Sequence, residues 1–223
     1  MKVERIVLGR AIRFIKLYYP PGGVYMPAVT QALCDKYGFL DYPKEFKDYD
    51  ETRGIHFRHG KFLRRTPTMT REVVIDTFSV FGNGVIADTT SYTDDAHAFL
   101  DDVIDLAVNK LSGWLPMKQN IENYSLSNIE FSSENDFDEY FAFTKKISAL
   151  IASSLRKASG KEIVYRLNQI SMHMDRTLTT SPLGPFTLER REGTPFDMNV
   201  FFSAAPLATA DHIEILKALD ESA

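Results

Sequence analysis

The sequence contains a single cysteine, Cys34. One cysteine excludes an internal disulfide and any zinc site built from several cysteines. No run of residues approaches the roughly 18 consecutive apolar residues that a membrane-spanning helix needs. Charged residues interrupt the apolar N-terminus, which therefore does not resemble a secretory signal. We expect a cytoplasmic protein that does not bind a membrane, and a hydrophobic content of 44% is sufficient for a substantial core.

The sequence also lacks the short motifs of several common enzyme classes. It has no G-x-G-x-x-G, no P-loop and no G-x-S-x-G. The glycines of Gly82-Asn83-Gly84 belong to a predicted hairpin and do not indicate a phosphate-binding loop. We therefore predict no cofactor.

Two closely spaced histidines, His56 and His59, are the best candidates for a metal site. On a helix this spacing would place both imidazoles on one face. The local sequence predicts a strand, in which the two side chains point to opposite faces. No cysteine or carboxylate nearby completes a ligand set, so we predict no metal site.

Two other histidines have aspartates at distances typical of acid–base pairs. His97 lies one helical turn before Asp101, which could orient the imidazole as a general base. No serine or cysteine nucleophile accompanies it in the sequence, and a surface His–Asp pair explains the spacing. His173 and Asp175 would share one face of a strand, where a cross-strand ion pair is the commoner arrangement. We predict no catalytic residue, and keep a hydrolase with a His/Asp site as a third hypothesis.

Charge is divided unevenly along the chain. Residues 1–71 hold 14 Lys and Arg against 7 Asp and Glu, whereas residues 72–223 hold 12 against 23. This asymmetry indicates either an acidic partner such as nucleic acid, or docking of the basic third on the acidic body of the same or a neighbouring subunit. We favour docking. The residues predicted to bind nucleic acid or an acidic partner are Arg53, Arg58, Lys61, Arg64, Arg65 and Arg71.

The stretch from Arg71 to Leu111 gives the clearest structural prediction. It indicates a strand, a hairpin turn at Asn83-Gly84, a second strand, and a helix that Thr93 can cap. Apolar residues at helical spacing mark the buried side of this helix, and acidic residues mark the exposed side. The predicted protein-docking residues on that acidic side are Asp94, Asp95, Asp101, Asp102 and Asp105.

The remaining elements are predicted from periodicity and from breakers. Residues 3–18 fit a helix or a strand, and a helix begins at Pro27 and ends near Gly38. If residues 3–18 are helical, residues 3–65 loosely resemble a winged-helix arrangement. The later predictions are strands at 54–62, 120–133, 162–174, 186–191 and 199–203, and helices at 137–157 and 210–221. The 137–157 helix is predicted to bury Phe137, Tyr140, Phe141, Thr144, Ile147, Leu150, Ile151 and Leu155.

Together these elements predict an α+β fold of mostly antiparallel sheet packed by two long helices and a C-terminal helix. Two βββα-like units are suggested, because both closing helices begin alike, at Thr93 and Thr209. The predicted segments are a basic helical region at 1–53, a strand–hairpin–helix unit at 54–116, and a second α+β unit at 117–223. We expect a non-catalytic assembly or adaptor subunit that acts through protein–protein contacts, as a homo-oligomer or with another protein. A nucleic-acid-binding protein that uses the basic N-terminal third is the alternative.

Overall fold

The structure is a computed structural model that describes residues 1–15, 26–110, 121–135, 141–178 and 183–221. The strands in these residues are β1 (Lys2–Phe14), β2 (Ile55–Arg65), β3 (Thr70–Phe81), β4 (Gly84–Thr89), β5 (Glu122–Ser132), β6 (Gln169–Met172), β7 (Phe186–Arg190) and β8 (Val200–Ala205). The α-helices are α1 (Pro27–Tyr37), α2 (Thr93–Lys110), α3 (Ala142–Ser159) and α4 (Thr209–Glu221). The strands form an antiparallel sheet in the order β2-β3-β4-β1-β5-β8-β7-β6, which confirms the predicted α+β class.

The chain divides into two compact units. The N-terminal unit comprises Ile6–Ser127 and Pro206–Thr209. The C-terminal unit comprises Met1–Arg5, Asn128–Ala205 and Ala210–Ala223. These units cut the chain at other points than the three predicted segments, because β1 and β5 each contribute residues to both units.

The order of elements is repeated. In the described residues, and leaving aside two short 3-10 turns, each half of the chain runs strand, helix, strand, strand, strand, helix, first from β1 to α2 and then from β5 to α4. The hydrogen-bonded order β2-β3-β4-β1 of the first half matches β6-β7-β8-β5 of the second. The repeat is therefore longer than the βββα suggested by the sequence. Helix α3 follows the first strand of the second repeat, as α1 follows the first strand of the first.

Residues 2–14 form a strand and not a helix, so the first part of the predicted helical N-terminal region is wrong. The run of β-branched residues in this segment suits a pleated strand that is buried on one side. Ala11 and Arg13 lie on the buried side, and β1 pairs with β4 over Gly9–Phe14. A winged-helix arrangement requires a helix here, so the structural resemblance fails as well. The prediction for Pro20-Pro21-Gly22-Gly23 lies outside the described residues.

The predicted hairpin exists, but its turn lies one residue earlier than expected. Phe81 pairs with Gly84, so the two turn residues are Gly82 and Asn83. Neither has the positive φ that an Asn-Gly turn would use. Gly84 is instead needed in the strand, because a Cβ there would lie 2.3 Å from the carbonyl oxygen of Arg13.

The core of the N-terminal unit is built around aromatic rings. Phe99 of α2 is fully buried, and its ring makes edge-to-face contacts with those of Tyr37, Phe62 and Phe78. Helix α1 begins at Pro27 and ends at Gly38, whose φ of +63° closes the helix, as predicted. Helix α1 supplies Tyr37 to this core, and α2 supplies Phe99.

The closing helices of the two repeats begin with matching threonines. The backbone N–H of Thr93 donates to Oγ1 of Thr209 at 3.0 Å, and the N–H of Thr209 donates to Oγ1 of Thr93 at 3.0 Å. Both threonines are fully buried. The hydroxyls therefore satisfy backbone donors that each helix start would otherwise leave unpaired.

The C-terminal unit has a smaller core. Its buried residues come from β5, β7, β8 and α4. Partly buried residues of β1, β6, β7 and α4 pack against them, as does Phe141 just before α3. The fully buried residues are Ile129, Phe131, Leu188, Phe201 and Leu216.

Candidate functional site

A cleft of about 880 Å³ in the N-terminal unit brings together residues from both predicted charged sets. It lies among the end of β2, the first residues of the β2–β3 connection, and helices α1 and α2. Its basic lining residues are Lys36, Lys61, Arg64 and Arg65, and its acidic ones are Glu72, Asp101, Asp102 and Asp105. The sequence does not show this juxtaposition, because the lining residues of β2 and those of α2 are far apart along the chain.

Asp95 is fully buried beside the cleft and is bound by two of the predicted basic residues. Arg64 and Arg71 each form an ion pair with one of its carboxylate oxygens. The hydroxyl of Ser91 also donates to Asp95. Asp95 is therefore inaccessible to a partner, and Arg64 and Arg71 hold β2 and β3 to the start of α2.

The carboxylates of Asp101 and Asp102 on α2 are partly neutralised within the unit. Asp101 accepts an ion pair from the buried Arg13 at 2.7 Å. Asp102 accepts one from Lys36 at 2.7 Å and a hydrogen bond from the Tyr37 hydroxyl at 2.8 Å. Burial and the neighbouring Asp102 raise the pKa of the Tyr37 hydroxyl far above its ordinary value, so it stays protonated and donates this hydrogen bond.

The remaining acidic candidates, Asp94 and Asp105, are exposed. Docking of a protein on this face of α2 stays a prediction.

The basic candidates on β2 and before it lie near carboxylates of their own unit. Arg58 lies 3.5 Å from Asp41, and Lys61 lies 3.1 Å from Glu72. Arg53 lies 3.5 Å from Asp50, and Arg65 is exposed at the end of β2. These surface pairs contribute little to stability and leave the cations accessible.

The structure gives His97 a hydroxyl neighbour that the sequence does not indicate. Its Nε2 lies 2.9 Å from Oγ of Ser125 on β5. Three further Ser–His pairs occur elsewhere, with distances of 2.8 to 3.1 Å: His56–Ser79, His173–Ser171 and His212–Ser203. Since the same pairing recurs at four places, it is a structural hydrogen bond of this fold and does not by itself mark a catalytic centre.

The environment of His97 predicts a pH-dependent contribution to stability. Burial is the main cause that lowers the pKa of His97 below 6.5, followed by Arg13, while Asp101 and Asp94 act in the opposite direction. The folded state then binds fewer protons than the unfolded state as the pH falls below about 6.5. This stability is complete above that pH and is lost as the pH falls through the folded pKa. We expect His97→Gln to lose less unfolding free energy than the wild type between about pH 7 and pH 5, as measured by urea unfolding.

The matched control for this measurement is His173→Gln, because His173 is exposed. It should keep the wild-type dependence on pH. An unchanged slope in His97→Gln would show that burial of this imidazole does not affect stability.

Among the residues that the structure describes, no group of three or more His, Cys, Asp or Glu is placed to hold a metal ion. The ring of His56 bonds to Ser79 and lies 3.2 Å from the carbonyl oxygen of Arg53. His59 lies on the same strand with a positive φ of 56°. The ring of His56 is thus held by Ser79 and Arg53, and neither of these contacts involves His59.

Helix α3 exposes apolar side chains that the helical spacing predicts to be buried. Of the residues predicted to be buried, Thr144 is buried, but Leu150 is 62% exposed. Ile147 and Ile151 are exposed as well, so the prediction of a buried apolar side is wrong for these three residues. The predictions for Asp136, Phe137 and Tyr140 lie outside the described residues.

The side of α3 that faces its own unit is lined by small residues. Ser148, Ala149, Ala152 and Ser153 border a groove of about 340 Å³, whose other wall is the extended segment at 162–165. Two small or hydroxyl residues in each turn allow close approach of that segment. The sequence therefore offers two sides of α3 that could pack. The spacing of large apolar residues indicates one side, and the structure packs the other.

The sequence matches no known family model and no curated protein. No helix in the described ranges is long and apolar enough to cross a membrane. The function is therefore inferred from the residues of this chain alone.

Proposed function

We propose that the protein is a non-catalytic assembly or adaptor subunit that binds protein through an apolar stripe on α3. This surface, the α3 stripe, consists of Phe143, Ile147, Leu150 and Ile151. The observation that supports the proposal is the exposure of all four side chains, from 37% for Ile151 to 67% for Phe143. Contiguous apolar surface of this kind is typical of protein-binding sites.

The spacing of the α3 stripe makes it one continuous surface. Ile147, Leu150 and Ile151 follow Phe143 by four, seven and eight residues, which places all four on one side of a helix. A partner with a groove that fits this side of α3 would contact all four side chains of the stripe. Helix-in-groove recognition uses this spacing of anchors.

The free energy available from covering the α3 stripe is large. Full burial of one large aliphatic or aromatic side chain contributes about 1.5–3 kcal/mol. Four such side chains, already partly buried, still provide several kcal/mol to offset the entropic cost of association.

A charge placed on the α3 stripe should abolish assembly. We expect Leu150→Asp to dissociate the complex that the wild-type protein forms, because association would bury an unpaired carboxylate. Light scattering on the purified protein measures this as a fall from a mass well above 25.4 kDa to the mass of one chain. Leu150 is exposed in the single chain, so the dissociated variant should still fold, which circular dichroism checks.

The matched control is Ser153→Asp, which adds the same charge to α3 at a residue that borders the groove but is exposed, and that lies outside the stripe. It should keep the wild-type mass. A wild-type protein that is a monomer with no bound partner would overturn the proposal, as would equal masses for the wild type and Leu150→Asp.

Nucleic-acid binding is a second candidate, and it rests on a row of exposed cations. Arg58, Lys61 and Arg65 lie on β2, which is an edge strand of the sheet. It ranks second because Arg58 and Lys61 already lie beside carboxylates of their own unit. A charge-reversal test has to spare Arg64, because that residue neutralises the buried Asp95.

A further inference from the structure

We propose that the partner is a second copy of this chain, and that α3 of each copy packs on the inner face of β6 and β7 in the C-terminal unit of the other. This inference rests on the proposed function and names the occupant of the α3 stripe. It is supported by the internal repeat, by apolar residues left exposed on β6, and by the charge of α3. Exchange of an identical element is a low-cost route to a symmetric dimer.

The repeat shows what a helix in this position does when it is packed. Helix α1, which α3 matches in element order, lies over the first two strands after it, β2 and β3. Leu33 of α1 shares a core cluster with Ile55 and Phe57 of β2, Val29 packs against that cluster, and Leu33 is almost completely buried. The equivalent surface in the second repeat is the inner face of β6 and β7, which is the side that carries Ile170 and Leu188.

Within the described residues of the C-terminal unit, that place is only partly covered: Leu188 of β7 is buried, but the end of β6 is not. On β6, Met172 is 64% exposed, and Ile170 is only partly buried. Met172 pairs with Phe186, and Ile170 pairs with the buried Leu188, so these residues share the core side of the strands. Met172 is therefore an apolar side chain that lies on the core side of an edge strand and remains exposed to solvent. In the first repeat, the apolar side of α1 covers the equivalent strands. The α3 stripe is a helix face of the same kind.

The charge of α3 favours a second copy over two other occupants. The helix contains Lys145, Lys146, Arg156 and Lys157 and no acidic residue. The rest of the chain then holds 22 Lys and Arg against 30 Asp and Glu, so a second copy presents an acidic body to this basic helix. Pairing of α3 with α3 would bring like charges together. An anionic lipid surface would attract α3 but repel the acidic remainder.

Crosslinking between two single-cysteine chains tests the exchange directly. In both chains Cys34 is replaced by serine, so that the only thiol is the one introduced. One chain carries Leu150→Cys and the other Met172→Cys, and the two are produced together and treated with a short bis-maleimide. Because each chain has one thiol, a link between positions 150 and 172 can form only between copies.

We expect a covalent dimer in the mixture, with the 150–172 link found by peptide mass spectrometry, and no such dimer from either chain alone. A 150–150 link from the Leu150→Cys chain alone would overturn the exchange in favour of helix pairing. Absence of any link in the mixture would also overturn it. Binding of the wild type to anionic vesicles, lost in Leu150→Asp, would overturn it by naming a membrane as the occupant.

The failure of this inference can be separated from failure of the proposed function. If no 150–172 link forms while Leu150→Asp, but not Ser153→Asp, releases a different protein from the purified complex, the assembly function stands and the second copy is wrong. If a chain that carries both cysteines forms the link as a monomer of 25.4 kDa, α3 closes on its own unit and both proposals are wrong.

Discussion

Replacing Asp95 with asparagine is expected to lower the free energy of unfolding by about 3–5 kcal/mol. The carboxylate is fully buried and neutralises both Arg64 and Arg71. Asparagine keeps the shape but removes the charge, so two guanidinium groups on neighbouring strands lose their counter-ion. It also leaves the Ser91 hydroxyl with a weaker acceptor. Urea unfolding of the purified variant, followed by circular dichroism, measures the loss.

The control for this prediction is the neighbouring residue in the same helical turn. Asp94 is exposed, so Asp94→Asn should cost less than about 1 kcal/mol, the effect of a carboxylate on the helix dipole alone. Equal losses in the two variants would mean that the ion pairs of Asp95 contribute nothing beyond helix electrostatics.

Replacing Phe99 with alanine is expected to cost about 3–5 kcal/mol. The ring is fully buried and contacts the rings of Tyr37, Phe62 and Phe78 at centroid distances of 5.0 to 5.8 Å. Its removal leaves a cavity where α1, α2 and two strands meet. These elements are packed against one another, so none of them can shift to fill the cavity without displacing the others. Calorimetry should show that Phe99→Ala has a lower thermal midpoint and a lower free energy of unfolding than the wild type.

The comparison that isolates burial is Phe46→Ala. Phe46 has the same side chain but is 75% exposed, and its loss should change stability by no more than about 0.5 kcal/mol. A Phe99→Ala variant as stable as Phe46→Ala would contradict the central place of Phe99 in this core.

Local signals in the sequence were sufficient for most elements. Strand β3, strand β4 and helix α2 follow from alternation, from a turn signal and from helical spacing, all of which act within a few residues. The turn lies one residue before the Asn83-Gly84 signal, because Gly84 is required by the approach of β1 and not by the turn. Whether residues 3–18 form a helix or a strand depended on pairing with β4, which is about 70 residues away in the sequence.

Long-range contacts account for what the sequence did not reveal. The acidic residues of α2 looked alike in the sequence, yet Asp95 is buried between two arginines while Asp94 is exposed. Periodicity identifies a helix face but not what covers it. Helix α3 has two faces that could pack, and the small residues Ala149 and Ala152 line a groove within its own unit while Leu150 faces outwards.

Hydrogen–deuterium exchange of the backbone amides of α3 tests most directly whether the α3 stripe is covered by protein. A helix whose apolar side is free has little to hold it beyond its own hydrogen bonds, so its amides exchange quickly. We predict slow exchange over residues 143–155 in the assembled wild type and in Ser153→Asp. In Leu150→Asp the same amides should exchange quickly, while those of α2 stay unchanged. Exchange of α3 that is equally fast in all three proteins would contradict assembly through this helix.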